Sequence, residues 1–436
     1  MSDSEKKISV ALICCFSNAK VRKHLPLDSR RLYRLLRRLL GMPTKSGTYG
    51  DLAAWDTHLI ENMRLRDDID LHVISSHSGL KKSVCSFQED GVDYHFVRSD
   101  RATLLKRLIP SASLWHRLNP MRPVVRKLVS QIHPDIVALV GAENPHISGT
   151  VLGLGDYPLI VKCQTIYNNP DRAKSGKVNL KNAYVEKEIF KDLKYVSVTN
   201  LMHYRLFRKM NQDAINFYWS LGNIMPEFEI KEKTYDFVNF AMGMSQKKGY
   251  HDSIKALAIV KKQYPEVKLN LVGGGAEEVR KELEKLVSDL GLQDNVEFTS
   301  FFPLQEDLFN HIQHSRFALL PCKLDSIPGT IRQSMHYGLP VVCYETTGTP
   351  KLNRDKECVL IAENGNVEQL AEKMMVLLSD SSKAEELRRN AKEYAERWKN
   401  DEKMIAQIVD NFKAVIANYR EGTPIPEELV CDPEHT

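Results

Sequence analysis

The chain has 436 residues, eight cysteines and a formal net charge of +5, from 61 Lys+Arg against 56 Asp+Glu. That length is enough for two domains, each burying a core of its own. No run approaches the eighteen or so apolar residues of a membrane span. No two cysteines have Cys-x-x-Cys spacing, so free thiols in a reducing cytosol are expected rather than a disulfide framework or a zinc site.

In the first half, short apolar runs at 8–16, 69–75, 92–98, 136–140, 159–163 and 196–199 predict strands, with helices over 55–65 and 123–132. The first run is too short and wrongly flanked for a signal peptide. Residues 28–41 form an amphipathic helical pattern. Leu32, Leu35, Leu36, Leu39 and Leu40 recur at helical spacing, Asp28 or Ser29 can cap the start, and Gly41 ends it. Arg30, Arg31, Arg34, Arg37 and Arg38 line the other side. That side suits an anionic membrane surface, at about 1 kcal/mol per arginine before screening. The leucine face can equally pack on the domain and leave the arginines solvated. A second basic apolar segment, 104–117, carries Lys106, Arg107 and Trp115.

Gly222, Asn223 and Pro226 interrupt the pattern between about 219 and 233. Beyond them, strands are predicted at 237–241, 269–272, 296–298, 317–320, 341–344 and 359–361. Helices are predicted at 251–263, 277–290, 305–311, 330–336 and 367–378. Alternating strands and helices of these lengths imply α/β layering on parallel sheets. The expected organisation is a domain over 1–222, a linker over 223–233 and a second domain over 234–395. A helix over 396–420 would return toward the first domain, ahead of a mobile tail over 421–436 rich in Pro and Glu.

Charge is unevenly spread. Residues 1–225 carry 34 Lys+Arg against 21 Asp+Glu, whereas 226–436 carry 27 against 35. A basic half implies an anionic partner. The basic residues are not interleaved with stacking aromatics and form no known nucleic-acid motif, so no nucleic acid is expected. A membrane surface or a phosphorylated lipid fits better.

Three loops in the second half can handle phosphate. Strand 317–320 runs into a loop with Asp325, then Pro328-Gly329, then a helix from about Thr330. Unpaired amides and the helix dipole at such a start suit a diphosphate. The segment from Gly243 to Gly249 follows a strand and carries Lys247 and Lys248. The strand 269–272 ends in Gly273-Gly274-Gly275, without the Gly-x-Gly-x-x-Gly register or a following acid that a dinucleotide site needs. A nicotinamide-dependent oxidoreductase is therefore a poor match.

The span Asp325 through Gln333-Ser334-Met335 to Gly338-Leu339-Pro340-Val341 resembles the donor-binding signature of the family 4 glycosyltransferases (glycosyl transferases group 1). That signature reads acid, seven residues, Glu-Ala-Met, two residues, Gly-x-Pro-Val. The spacing is kept, while Asp325 and Gln333 stand at the two acid positions, marking a divergent member. The resemblance implies the GT-B fold: α/β, two Rossmann-like domains with a cleft between them. It covers about 237–378 well and the first half thinly.

It also implies roles. Lys248 matches a lysine that binds the donor diphosphate and stabilises the departing charge; the accompanying arginine is missing near Gly243, and Lys247 or Arg332 are candidates to fill the deficit. Asp325 takes the sugar-hydroxyl position and Gln333 the ribose position. Ser326 and the amides of Gly329, Thr330 and Ile331 would hold the diphosphate, with Gly273 and Gly274 close to the nucleotide. In the first domain Gly50, His146 and Gln164 are candidate acceptor contacts, Gln164 standing where the family usually has a histidine. No paired carboxylates of the glycosidase kind are evident in the sequence. The implied activity is retaining transfer from a nucleotide-sugar such as a UDP- or GDP-sugar, without a metal or other cofactor. The acceptor would be a saccharide, lipid-linked, in surface polysaccharide assembly on the inner face of the cell membrane. The rival expectation is a catalytically weak or inactive relative that binds sugar nucleotide as a scaffold.

Overall fold

The computed structural model describes residues 7–27, 51–170, 179–219, 225–229, 232–325, 327–396 and 401–433. The chain divides into two compact units, one of Met1–Ile224 with Asp401–Thr436 and one of Met225–Asn400. Among the described residues no helix is long and apolar enough to cross a membrane, and all eight cysteines are free. The 28–41 pattern with its five arginines, Gly50 and Ser326 lie outside the described residues.

The first unit is built on an eight-stranded sheet. Its strands are β1 (Ile8–Ile13), β2 (Ile69–His77), β3 (Val84–Glu89), β4 (Val92–Arg98), β5 (Ile136–Val140), β6 (Leu159–Lys162), β7 (Tyr195–Ser197) and β8 (Ile215–Asn216). Their order is β3-β4-β2-β1-β5-β6-β7-β8, parallel except for the antiparallel β3 edge. Alternation sends Val10 and Leu12 of β1 into one core, and Ala11 and Ile13 into the other. Both faces are covered at β5, which is why Ile136–Val140 reads as an unbroken apolar run.

The helix Asp401–Glu421 belongs to this unit. Ile405, Ile408, Val409, Phe412 and Val415 recur at helical spacing and are all buried against the β1 face. Phe412 meets Trp219 edge-on with centroids 5.4 Å apart. The expected mobile tail over 421–436 is corrected over its described part. The Asn216 side chain donates to the Cys431 carbonyl at 2.8 Å, and the Cys431 amide donates to the Asn216 carbonyl at 2.7 Å. Leu429 and Cys431 are buried. A paired backbone with buried side chains outweighs the composition of the segment.

The second unit carries a six-stranded sheet. Its strands are β9 (Tyr235–Gly243), β10 (Leu269–Gly274), β11 (Val296–Thr299), β12 (Ser315–Leu320), β13 (Val341–Tyr344) and β14 (Val359–Ala362). All are parallel, in the order β11-β10-β9-β12-β13-β14. Part of the expected linker is integral to this unit: Met225 and Phe228 pack on its core, and Tyr337 Oη donates to the Pro226 carbonyl at 3.1 Å. The charged stretch from 384 onward is two helices. The earlier one, Ser381–Glu396, stays in the second unit, where Arg388 Nε donates to the Gly338 carbonyl at 3.0 Å.

Candidate functional site

The second sheet grows from β9 toward β10 on one side, then crosses back to add β12 on the other. At such a reversal the loops leaving the two strands diverge and open a crevice at their carboxyl ends. The loops leaving β9 and β12 hold Lys248 and Asp325.

The β9 loop is shaped by its glycines. Gly243 pairs with Gly274 across an irregularity in the β9–β10 register. Gly273 has φ +157°, and a Cβ there would come within 2.6 Å of the Ala241 carbonyl oxygen. The Met244 amide donates to the Gly274 carbonyl at 2.6 Å. Ser245 Oγ accepts from the Lys248 amide at 3.3 Å, capping a single turn over Gln246–Lys248. Gly249 closes that turn at φ +78° and starts the helix Tyr250–Val260.

Lys323 ties this loop and the helix after it to the loop after β12, and residues after β13 and β14 brace the junction. The Lys323 amide donates to the Lys247 carbonyl at 2.9 Å. Lys323 Nζ reaches Asp252 Oδ2 at 2.8 Å, and Tyr344 Oη donates to the same oxygen at 2.9 Å. Asn364 Nδ2 donates at 3.1 Å to both the Lys323 and the Glu345 carbonyls. Asp252 is 4 % exposed, so its charge is matched by a lysine and a phenol rather than by water. Burial, then Asp252, pushes the Tyr344 hydroxyl far above its ordinary value, so it remains a donor.

On this braced platform Lys248 Nζ stands 3.5 Å from Asp325 Oδ2, with both side chains about 40 % exposed (40 % and 42 %). An exposed pair of this kind is worth at most about 1 kcal/mol, so a ligand with a stronger claim on either group can separate it. Beside it the helix Gly329–His336 begins after Pro328 with no side-chain cap and no acid in its first turn. The Ile331 amide already donates to the Pro328 carbonyl at 3.0 Å. That leaves Gly329 and Thr330, whose amides lie beyond the reach of helix carbonyls, as the open donors. Gln333 faces inward at 8 % exposure, while Arg332 on the same helix is exposed.

The described residues expected to contact the donor lie on the loops and helix start of one unit: Gly243, Lys247, Lys248, Gly273, Gly274, Asp325, Gly329, Thr330, Ile331 and Gln333. His146 and Gln164 sit in the first unit, after β5 and β6. The His146 ring packs edge-on to Trp115 at 5.7 Å, with Nε2 3.4 Å from Thr103 Oγ1. Burial first, and Lys106 second, lower its pKa to about 4, so near neutrality it is an uncharged ring.

Sequence reading missed Lys323, Asp252 and Tyr344, although Lys323 lies inside the signature loop. It also missed a carboxyl pair at the reversal of the first sheet, between β1 and β5. Asp56 is 2 % exposed, and burial, then the charge of Glu143, raises its pKa well above the carboxylate range. Glu143 folds over Gly141 at the end of β5, where a Cβ would meet its Oε1 at 2.6 Å.

Two Rossmann-like units with these sheet orders define the GT-B class of glycosyltransferase folds. HepE from Anabaena, solved in complex with UDP and glucose, superposes over 93 % of this chain and 99 % of its own, with a TM-score of 0.62 and 15 % identity. Residues 223–398, most of the second unit, match the family model described as Glycosyl transferases group 1. Among curated relatives, an uncharacterised glycosyltransferase of Haemophilus influenzae is 28 % identical over 30 % of this chain and 36 % of its own length. The amylovoran biosynthesis glycosyltransferase AmsK of Erwinia amylovora is 28 % identical over 29 % of this chain and 32 % of its own. The matched segment spans about a third of these relatives.

Proposed function

We propose that the protein transfers a sugar from a nucleotide-sugar to a saccharide acceptor in polysaccharide biosynthesis. The observation that carries this reading is the pairing of Lys248 with Asp325 beside the open start of the helix Gly329–His336. The lysine and the Gly329 and Thr330 amides suit the diphosphate of a UDP- or GDP-sugar; the aspartate suits a sugar hydroxyl. Transfer retains anomeric configuration and uses no metal. The acceptor oxygen bonds to the anomeric carbon as the bond to the β-phosphate oxygen breaks, and that oxygen takes the acceptor proton. Lys248 contributes by attracting the charge that grows on the leaving diphosphate, an interaction stronger in the transition state than before it.

A panel of UDP- and GDP-sugars should contain one that raises the melting temperature by several degrees and is turned over by hydrolysis or transfer, with the anomer of the product read by NMR. Binding without any turnover would favour the scaffold role, and no binding across the panel would sink both.

The acceptor is lipid-linked, and the first unit meets an anionic membrane on the cytoplasmic side. Supporting this, Leu108, Leu114 and Leu118 are 59 %, 40 % and 52 % exposed in the segment that also carries Arg107 and Arg117. Leucines among cations fit an interface of apolar chains and phosphate headgroups. The protein should co-sediment with vesicles containing phosphatidylglycerol at low salt. Changing Arg30, Arg34 and Arg37 together to serine, with Leu108→Ser and Leu118→Ser, should leave it in the supernatant; unchanged sedimentation would remove the membrane from the reading.

A further inference from the structure

β2 and β4 carry the same triplet pattern, Asp70-Leu71-His72 and Asp93-Tyr94-His95. They are parallel neighbours in a register that sets His72 opposite Asp93. Alternation then puts Asp70, His72, Asp93 and His95 on one face of the sheet. The intervening Leu71, Val73, Tyr94 and Phe96 enter the core on the other face. On the polar face, apolar packing begins further along the strands, at Ile74 and Val97. Since β2 is an interior strand, both its faces would ordinarily be apolar. Here Asp70 is exposed and His72, Asp93 and His95 are half-buried, so four side chains with ligand atoms stand together on the open start of that face.

The geometry points to a site for a divalent transition metal of the zinc class, held by Asp70, His72 and Asp93. His72 Nε2 lies 3.2 Å from Asp70 Oδ2, and one donor atom from each of the three residues lies within 4.8 Å of the others. A tetrahedral ion with bonds of about 2.0–2.2 Å holds its donors roughly 3.3 Å apart, so small torsions of the carboxylates close the set. Two carboxylates and an imidazole form the mixed oxygen–nitrogen set that zinc accepts; calcium and magnesium prefer oxygen alone. Water completes the coordination.

The surroundings brace the site. The His95 ring stacks on His72 with centroids 5.9 Å apart and planes 15° apart. Its Nδ1 is 2.9 Å from Ser86 Oγ on β3. His72 Nδ1 and His95 Nε2 are buried without hydrogen-bond partners, although such atoms are nearly always satisfied. The cysteines gave no reason to expect a metal; these aspartates and histidines do. The ion's role is structural: it clasps the β3–β4 edge onto β2, in a different unit from the donor loops.

The test uses the full chain after chelator treatment, with zinc alone as probe. Calorimetric titration should find one equivalent bound at micromolar affinity or better, and the ion should raise the melting temperature, as a ligand specific to the folded state does. Cobalt in place of zinc should give the intense visible absorption of a four-coordinate site. His72→Gln and Asp93→Asn should each weaken that equivalent at least tenfold without altering the metal-free melting temperature. Should either variant fold poorly, Asp70→Asn at an exposed position replaces it. Undiminished binding in the variants, or weak binding at several histidines with no thermal shift, would mean an adventitious ion only and overturn the assignment.

Discussion

Lys248→Ala should lower kcat for the nucleotide-sugar by roughly 10²–10³-fold, the usual effect of removing one preorganised group that faces developing charge. KM should change far less, about threefold or under. The free-state geometry gives the reason for this split. Lys248 is engaged with Asp325 at 3.5 Å, in a pair that water screens. A diphosphate entering the crevice exchanges one anionic partner of the ammonium for another, so little net binding is gained in the ground state. As the glycosidic bond breaks, charge on the β-phosphate oxygen grows and the ammonium gains fully from it. Steady-state kinetics on the best substrate from the panel would decide. Equal losses in kcat and in affinity would make Lys248 a positioning residue. Lys248→Arg separates charge from shape, because a planar guanidinium keeps the charge and alters the hydrogen-bonding geometry.

Much of the second unit was legible because its parallel strands are short, buried on both faces and bounded by glycine or proline. The segment 341–344 is wholly apolar or aromatic apart from Cys343, follows Gly338-Leu339-Pro340, and forms β13 at those residues. The predicted helix at 330–336 starts one residue earlier, since Pro328 is extended and Gly329 is the first residue able to turn. The first unit was harder. β3 went unassigned, yet its alternation ends in Asp90-Gly91, and both residues adopt positive φ, +50° and +79°, as a tight hairpin requires. That dipeptide was the available signal. The basic segment 104–117 is two helices, Asp100–Leu108 and Ala112–Arg117, separated around Pro110, which cannot continue a helix.

The bracing of the site was out of reach for a different reason. Asp252 and Lys323 are far apart in the chain, and they meet only because strand order sets the helix after β9 beside the loop after β12. Local periodicity carries no trace of such pairs. The β9 and β12 loops were each recognisable, but that Lys323 binds them together follows from the crossover alone.

Gly249→Ala should cost on the order of 3–4 kcal/mol of stability and abolish nucleotide-sugar binding, because two independent penalties fall on one methyl group. Alanine at φ +78° is strained by about 1–3 kcal/mol. Its Cβ would also stand 2.1 Å from the Pro321 carbonyl oxygen, an overlap with backbone that no side-chain rotation relieves; overpacking of this kind adds about 1–3 kcal/mol. Pro321 opens the loop that carries Asp325, and Lys323 fastens that loop to the Lys247 carbonyl and to Asp252. Relieving the clash therefore pushes apart the two segments that bring Lys248 and Asp325 together. Gly365→Ala is the matched control: φ is +87°, and a Cβ there meets nothing within 4 Å. It should lose about 1 kcal/mol, the low end of the strain cost, and keep its ligand. Urea unfolding of the two variants, read beside nucleotide-sugar binding, isolates the contact with Pro321. Equal stabilities with binding intact in both would show that the close approach of the β9 and β12 loops contributes nothing to the site.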